Sequence, residues 1–208
     1  MGLFHVATIT PSKAELIADW LPTRAWGPGS EAEVEVVGAF RFDDPEHRVG
    51  METHLVTAGG TLYQVPLTYR DEPLAGAEEA FITEMEHSAL GTRWVYDGLG
   101  DERYRLMLLA VTLTGQGETL GLAAHEGRWY TRPASARIFG GGWTGDAVAV
   151  DGLDVMADEG RTVDLASDAF QLRFHRTPTP GTKPAIALMA TCEGHRDPVV
   201  LAQASATA

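Results

Sequence analysis

Polar and apolar residues alternate over 33–42, placing Val34, Val36, Phe40 and Phe42 on one side and Glu33, Glu35 and Arg41 on the other. That period of two predicts a strand with one buried face. Asp43-Asp44-Pro45 follows as a turn. Runs 51–57 and 61–69 flank Ala58-Gly59-Gly60, whose glycines permit the positive φ of a tight hairpin. In the second run Tyr63, Val65, Leu67 and Tyr69 share one side, and Gln64, Thr68 and Arg70 the other. Pro66 removes a ladder donor in mid-run, which argues for an edge position or a bulge. On an edge, Gln64, Thr68 and Arg70 would offer a polar docking surface to a partner.

Two helices are expected, both in the first half. Ser12 with Glu15 three residues later makes a capping box, and Ala14, Leu16, Ile17, Trp20 and Leu21 give an apolar stripe that Pro22 ends. Asp101 and Glu102 open the second, where Tyr104, Met107, Leu108 and Val111 form the stripe and the helix dipole favours the acids. Segments 4–9, 80–88 and 93–96 read as strands, the last two across a turn at Leu90-Gly91. After residue 120 helical periodicity disappears, and short apolar runs at 120–124, 136–139, 147–150, 162–165, 170–176 and 185–192 alternate with glycine and proline turns. The fold class is therefore α+β. A curved antiparallel sheet packed on helices spans 1–116, and an antiparallel all-β half spans 117–208, joined by the short polar segment 114–118.

The chain has 208 residues, 44% of them hydrophobic, enough for a core without staples. Its single cysteine, Cys192, forms no internal bridge, which fits a reducing compartment and a small buried side chain. No segment approaches the ~20 apolar residues of a membrane span, so a soluble, cytoplasmic protein is expected. A net charge of −13 repels a phosphate backbone and excludes nucleic acid as a partner.

Four pieces, in this order and at these separations, carry a resemblance: Asp19-Trp20-Leu21-Pro22, Arg24-Ala25-Trp26, Tyr63-Gln64-Val65-Pro66-Leu67 and Arg93-Trp94-Val95-Tyr96-Asp97. They resemble the N-terminal cap domain of actinobacterial maltokinases and related sugar kinases. The resemblance implies a cystatin-like topology for the first half and a second half like the first strands of a kinase N-lobe. In those kinases a glycine loop is followed by a strand bearing a phosphate-pairing lysine and then an Arg- and Pro-rich connection. Here the order is Gly140-Gly141-Gly142-Trp143-Thr144, then Arg173 at the lysine position, then Pro178, Pro180 and Pro184. A planar guanidinium in place of a compact ammonium would misplace a nucleotide. The base and the magnesium-holding carboxylates of that family lie in a lobe with no counterpart before Ala208, so no catalytic residue carries over.

Other chemistry leaves little. No histidine pair has the helical spacing of a zinc site, and no metal or cofactor is expected. There is no Gly-x-Ser-x-Gly elbow. Glu84 and Glu86 share one side of a strand, the solvated one. Aromatic faces beside polar groups hold sugar rings, and Trp26 next to Arg24, and Trp143 in the glycine loop, are the tryptophans expected to be most exposed. The sequence thus points to a non-catalytic cap-like accessory protein linked to glycogen, maltose or trehalose metabolism, binding a partner enzyme or a saccharide. The ligand candidates are Arg24, Trp26, Gly140, Gly141, Gly142, Trp143, Thr144 and Arg173. Two alternatives stand beside it: a small nucleotide-binding or phosphotransferase-like protein using the 140–145 loop and Arg173, and a β-barrel with an apolar cavity lined by Phe139, Val148, Phe170 and Leu172.

Overall fold

The structure is a computed structural model that describes residues 2–3, 7–119, 121–125, 127–132, 134–142, 149–150, 152–181 and 184–207. Strands β1 (Gly2–Leu3) and β2 (Ile9–Thr10) precede helix α1 (Lys13–Trp20). Then come β3 (Val34–Asp43), β4 (Gly50–Ala58), β5 (Thr61–Arg70), β6 (Phe81–His87), β7 (Gly91–Asp97) and helix α2 (Glu102–Thr114). The second half holds β8 (Gly121–His125), β9 (Arg128–Arg132), β10 (Ala136–Gly140), β11 (Asp154–Asp158), β12 (Thr162–Ala166), β13 (Phe170–His175), β14 (Ala187–Cys192) and β15 (His195–Ala206).

Two six-stranded antiparallel sheets carry the fold, ordered β2-β6-β7-β5-β4-β3 and β10-β14-β15-β13-β12-β11. A third, small sheet runs β1-β8-β9, with β1 parallel to β8. Helix α1 starts as its residues dictate: the Glu15 backbone N–H donates to Ser12 Oγ, and Ser12 N–H donates to the Glu15 carboxylate at 2.8 Å. Its buried Leu16 and Ile17 pack with Leu21 onto Val56, Val65, Leu67 and Val95 of the first sheet. Helix α2 covers the opposite face. Its Leu108 and Leu109 meet Phe40, Met51 and Leu55 of the first sheet and Leu165, Leu172, Phe174 and Leu201 of the second in one continuous core. Each such fully buried leucine contributes about 2 kcal/mol of transfer free energy.

The clean alternation of the first strand breaks at Val37. Val36 pairs with Val56, but Gly38 pairs with Leu55, so one residue is bulged out of register. A bulge reverses the faces beyond it: Val34 and Val36 pack on the α1 side, whereas Phe40 and Phe42 join the α2 core. The four residues expected on one face are divided between two.

Strand β5 is likewise not an edge, because β4 and β7 flank it. Its pairing to β7 nevertheless begins only at Leu67, opposite Asp97, so Pro66 sits where no neighbour demands its missing N–H. On that side, Gln64 N–H donates to the Arg176 carbonyl at 2.8 Å. The open edge of β10 is sealed by the joint after α2: Gly140 N–H donates to Gln116 O at 3.1 Å, and Ile138 N–H to the Glu118 carboxylate at 2.9 Å.

Candidate functional site

The glycine turn was the sequence's best place for a phosphate, and its backbone is otherwise engaged. Gly140 N–H goes to Gln116 O, Gly141 N–H to Ala187 O and Gly142 N–H to Thr112 O. The turn lies across the C-terminal end of α2, the negative end of the helix dipole, which repels an anion. Glycine is required there by space. A Cβ on Gly140 would lie 2.5 Å from Val111 O, and one on Gly142 2.4 Å from Leu113 O. Gly142→Ala is expected to cost about 2–3 kcal/mol through this backbone collision, measured as a lowered urea midpoint with unchanged m-value. Trp143 and Thr144 lie outside the described residues.

Arg173, on the outer face of β13, holds Asp164 of β12 through a two-pronged pair at 2.7 and 2.8 Å. The Arg173 hydrogen bonds keep the Asp164 carboxyl below its ordinary range. Two residues along, His175 is also held low, by burial and by Arg173. Leu172 belongs to the α2 core, while Phe139, of the same expected barrel lining, is 37% exposed. The second sheet is an open sheet in strand order, and Val148 lies outside the described residues. An open groove of about 570 Å³ crosses its outer face between Met156 and Pro184, over Asp164, Gln171, Arg173, Gln203 and Ser205.

Arg24 and Trp26 are drawn into packing. The Arg24 guanidinium lies 5.2 Å from the Trp20 ring and donates to Thr23 Oγ1 at 3.1 and 2.9 Å. Trp26 meets Trp20 edge-on at 5.8 Å and Tyr63 at 6.4 Å. The Arg176 guanidinium sits on Trp26, 4.3 Å from its centroid. Arg176 is 4% exposed and reaches Asp97 at 3.2 Å and Asp158 at 3.4 Å, so it fastens the first sheet to the hairpin of β11 and β12.

The docking surface expected of Gln64, Thr68 and Arg70 is covered. Gln64 and Thr68 are fully buried on the α2 side of β5, and Arg70 is locked to Asp101, the N-cap of α2, at 2.7 and 2.8 Å. A sheet with helices on both faces has no solvent side for polar residues to mark.

One titratable cluster escaped the sequence reading. On the α1 face, Glu52 and His54 of β4, Tyr69 of β5 and Lys13 of α1 lie together, with Arg41 close enough to act on them. Lys13 pairs with Glu52 and lies 5.3 Å from the Tyr69 ring centroid. Burial pushes His54 down to about 4, and Glu52, 3.8 Å from its Nε2, only partly offsets this. For Glu52 itself burial works upward, yet His54, Lys13 and Arg41 outweigh it and hold the carboxyl low. Burial also drives the Tyr69 hydroxyl well up. Among the described residues no three His, Cys, Asp or Glu side chains are placed to hold a metal ion, and no helix is long and apolar enough to cross a membrane.

Of the tryptophans expected to be exposed, Trp26 is half-buried, whereas Trp129 and Tyr130 on β9 are 62% and 48% exposed. Their signal in the sequence was the run Arg-Trp-Tyr-Thr-Arg, three interface-rich residue types without a core-facing period.

Trp20, Trp26, Tyr63 and Asp97 fall in one stretch with a known counterpart, while Arg176, which joins Trp26 to Asp97, lies beyond it. Residues 20–101 match the maltokinase N-terminal cap domain. The cap segment begins at the end of α1 and closes on Asp101, so it takes in β3 to β7 and stops where α2 starts. The match covers less than half of the chain, and it associates this protein with maltokinase-type metabolism. No curated protein matches the chain.

Proposed function

We propose that this chain is a non-catalytic, cap-type accessory protein that docks on an enzyme of the maltokinase class, in glycogen, maltose or trehalose metabolism. The observation carrying this reading is the pairing of the cap match with the state of the kinase-like elements beyond it. Every described glycine N–H of the 140–142 turn is spent on a carbonyl, and Arg173 is spent on Asp164. A nucleotide would have to break both sets of bonds to use them. The cystatin-like topology of the cap and the kinase N-lobe likeness of the second sheet belong to the same reading.

The test has two arms. Titration with ATP and magnesium is expected to give no saturable binding, and gel filtration with a maltokinase-type kinase is expected to give co-elution and a changed KM of that kinase. Phosphate transfer from ATP to maltose, above a heat-treated control and lost in Arg173→Ala, sinks the reading. A second reading, saccharide binding, is favoured by the groove over Arg173, Gln171, Gln203 and Ser205, whose donors and acceptors suit a hydroxyl-rich, uncharged ligand. Calorimetric titration with maltoheptaose against wild type and Gln203→Ala decides it.

A further inference from the structure

Strand β9, Arg128-Trp129-Tyr130-Thr131-Arg132, is the outer strand of the small sheet. Successive side chains of a strand point to opposite faces. Trp129 at 62% and Tyr130 at 48% exposure therefore show both faces open at the middle of this strand. Its register runs His125 to Gly121 of β8 against Arg128 to Arg132 of β9, and among the described residues the β9 backbone has no other hydrogen-bonding strand. Among the described residues, one row of its N–H and C=O groups meets no partner strand. An open edge bearing two large aromatics is a liability unless something covers it.

We propose that β9 is a docking edge that takes an extended, acidic segment of another protein as an added strand. This rests on the reading of the chain as a docking protein and supplies the partner's chemistry. Three observations select that occupant. A segment lying in the plane of the sheet touches both faces at once, which accounts for Trp129 and Tyr130 together, whereas a flat sugar ring stacks on one face only. Tryptophan, tyrosine and arginine are the residue types that dominate binding energy at interface centres. In the sequence of the strand Arg128 and Arg132 stand at the two ends with no acid between them, and Arg128 is exposed, in a chain whose net charge is −13. Elsewhere that charge turns an acidic segment away; here it is drawn in. A second copy is disfavoured, because antiparallel self-pairing about Tyr130 sets Arg128 opposite Arg132 of the other copy, and like charges directly opposite destabilise a pair.

The probe is a labelled ten-residue peptide of alternating Glu and Val, titrated into the whole chain by fluorescence anisotropy. Saturable binding is expected, weakened at least about tenfold in Trp129→Ala and in Arg128→Glu, with circular dichroism and melting unchanged because both side chains are exposed. A peptide with Lys for Glu, and one N-methylated at alternate backbone nitrogens, are expected not to bind. The proposal falls if the acidic peptide does not bind, if Trp129→Ala leaves binding intact, or if the N-methylated peptide binds equally well. It also falls if sedimentation shows a dimer that Trp129→Ala abolishes, which assigns the edge to a second copy, or if maltoheptaose quenches Trp129 and displaces the peptide. Kinase co-elution is read separately, so loss of this proposal leaves that reading standing.

Discussion

Acidifying the solution from pH ~7 to pH ~5 is expected to remove about 2 kcal/mol of folding stability through His54. The folded protein holds His54 neutral down to about 4 because the ring is buried between β4 and α1. The unfolded chain takes up that proton near the ordinary histidine value of 6.5. Between those two values the unfolded state binds more protons, so stability falls as pH falls; above the upper value the contribution is complete. Glu52, Asp44 and Asp164 are held low in the fold, so their share is lost only further down, as pH drops through the carboxylate range. His175, also held low, acts in the same direction as His54. Urea unfolding of wild type and His54→Gln at both pH values measures the difference. The wild type should lose clearly more stability than the variant, which keeps only the His175 part. Parallel losses would show that His54 is not buried neutral.

Arg176→Ala is expected to cost about 3–5 kcal/mol, the range for removing one partner of a buried pair. The substitution strips Asp97, whose side chain is 13% exposed, of its guanidinium and uncovers the Trp26 ring. The backbone bonds of the same residue, to Gln64 N–H and from Arg176 N–H to Arg161 O at 2.8 Å, are untouched, so the loss reports the side chain alone. A cycle with Asp97→Asn separates the ionic part from the stacking part, the two single changes falling short of additivity. A chemical-denaturation loss under about 1 kcal/mol would mean that Arg176 is not the fastening between the sheets.

Much of the first half could be read in advance because one physical signal sufficed. The Ser12 capping box, the hairpin at Gly59-Gly60 and the Asp101 cap depend on neighbours within a few residues. What failed there failed for a definite reason. Gln64 and Thr68 were polar on an alternating strand, and alternation says nothing of solvent once both faces are covered. The bulge at Val37 shifted Phe40 and Phe42 to the other core without disturbing their pattern.

In the second half, β9 and β11 went unseen because both faces of each are exposed and no period is imposed on them. β15 went unseen because Pro198 and a run of alanines disguise a strand that is central and bulged. Of the candidate site residues, Arg24 has a local partner in Trp20, four residues before it, but Arg176 and Asp164, the partners of Trp26 and Arg173, come from tertiary contacts that no local rule reaches.

Gly38, next to the Val37 bulge, lets the edge of the first sheet press on the second so closely that an added Cβ would stand 2.9 Å from Cys192 Cβ and 3.1 Å from Ala136 Cβ. With that contact on one flank and Arg176 on the other, the two sheets are pinned to each other at two separate points. A side chain larger than hydrogen at position 38 would wedge them apart at the first of these, and the strain would be felt by both.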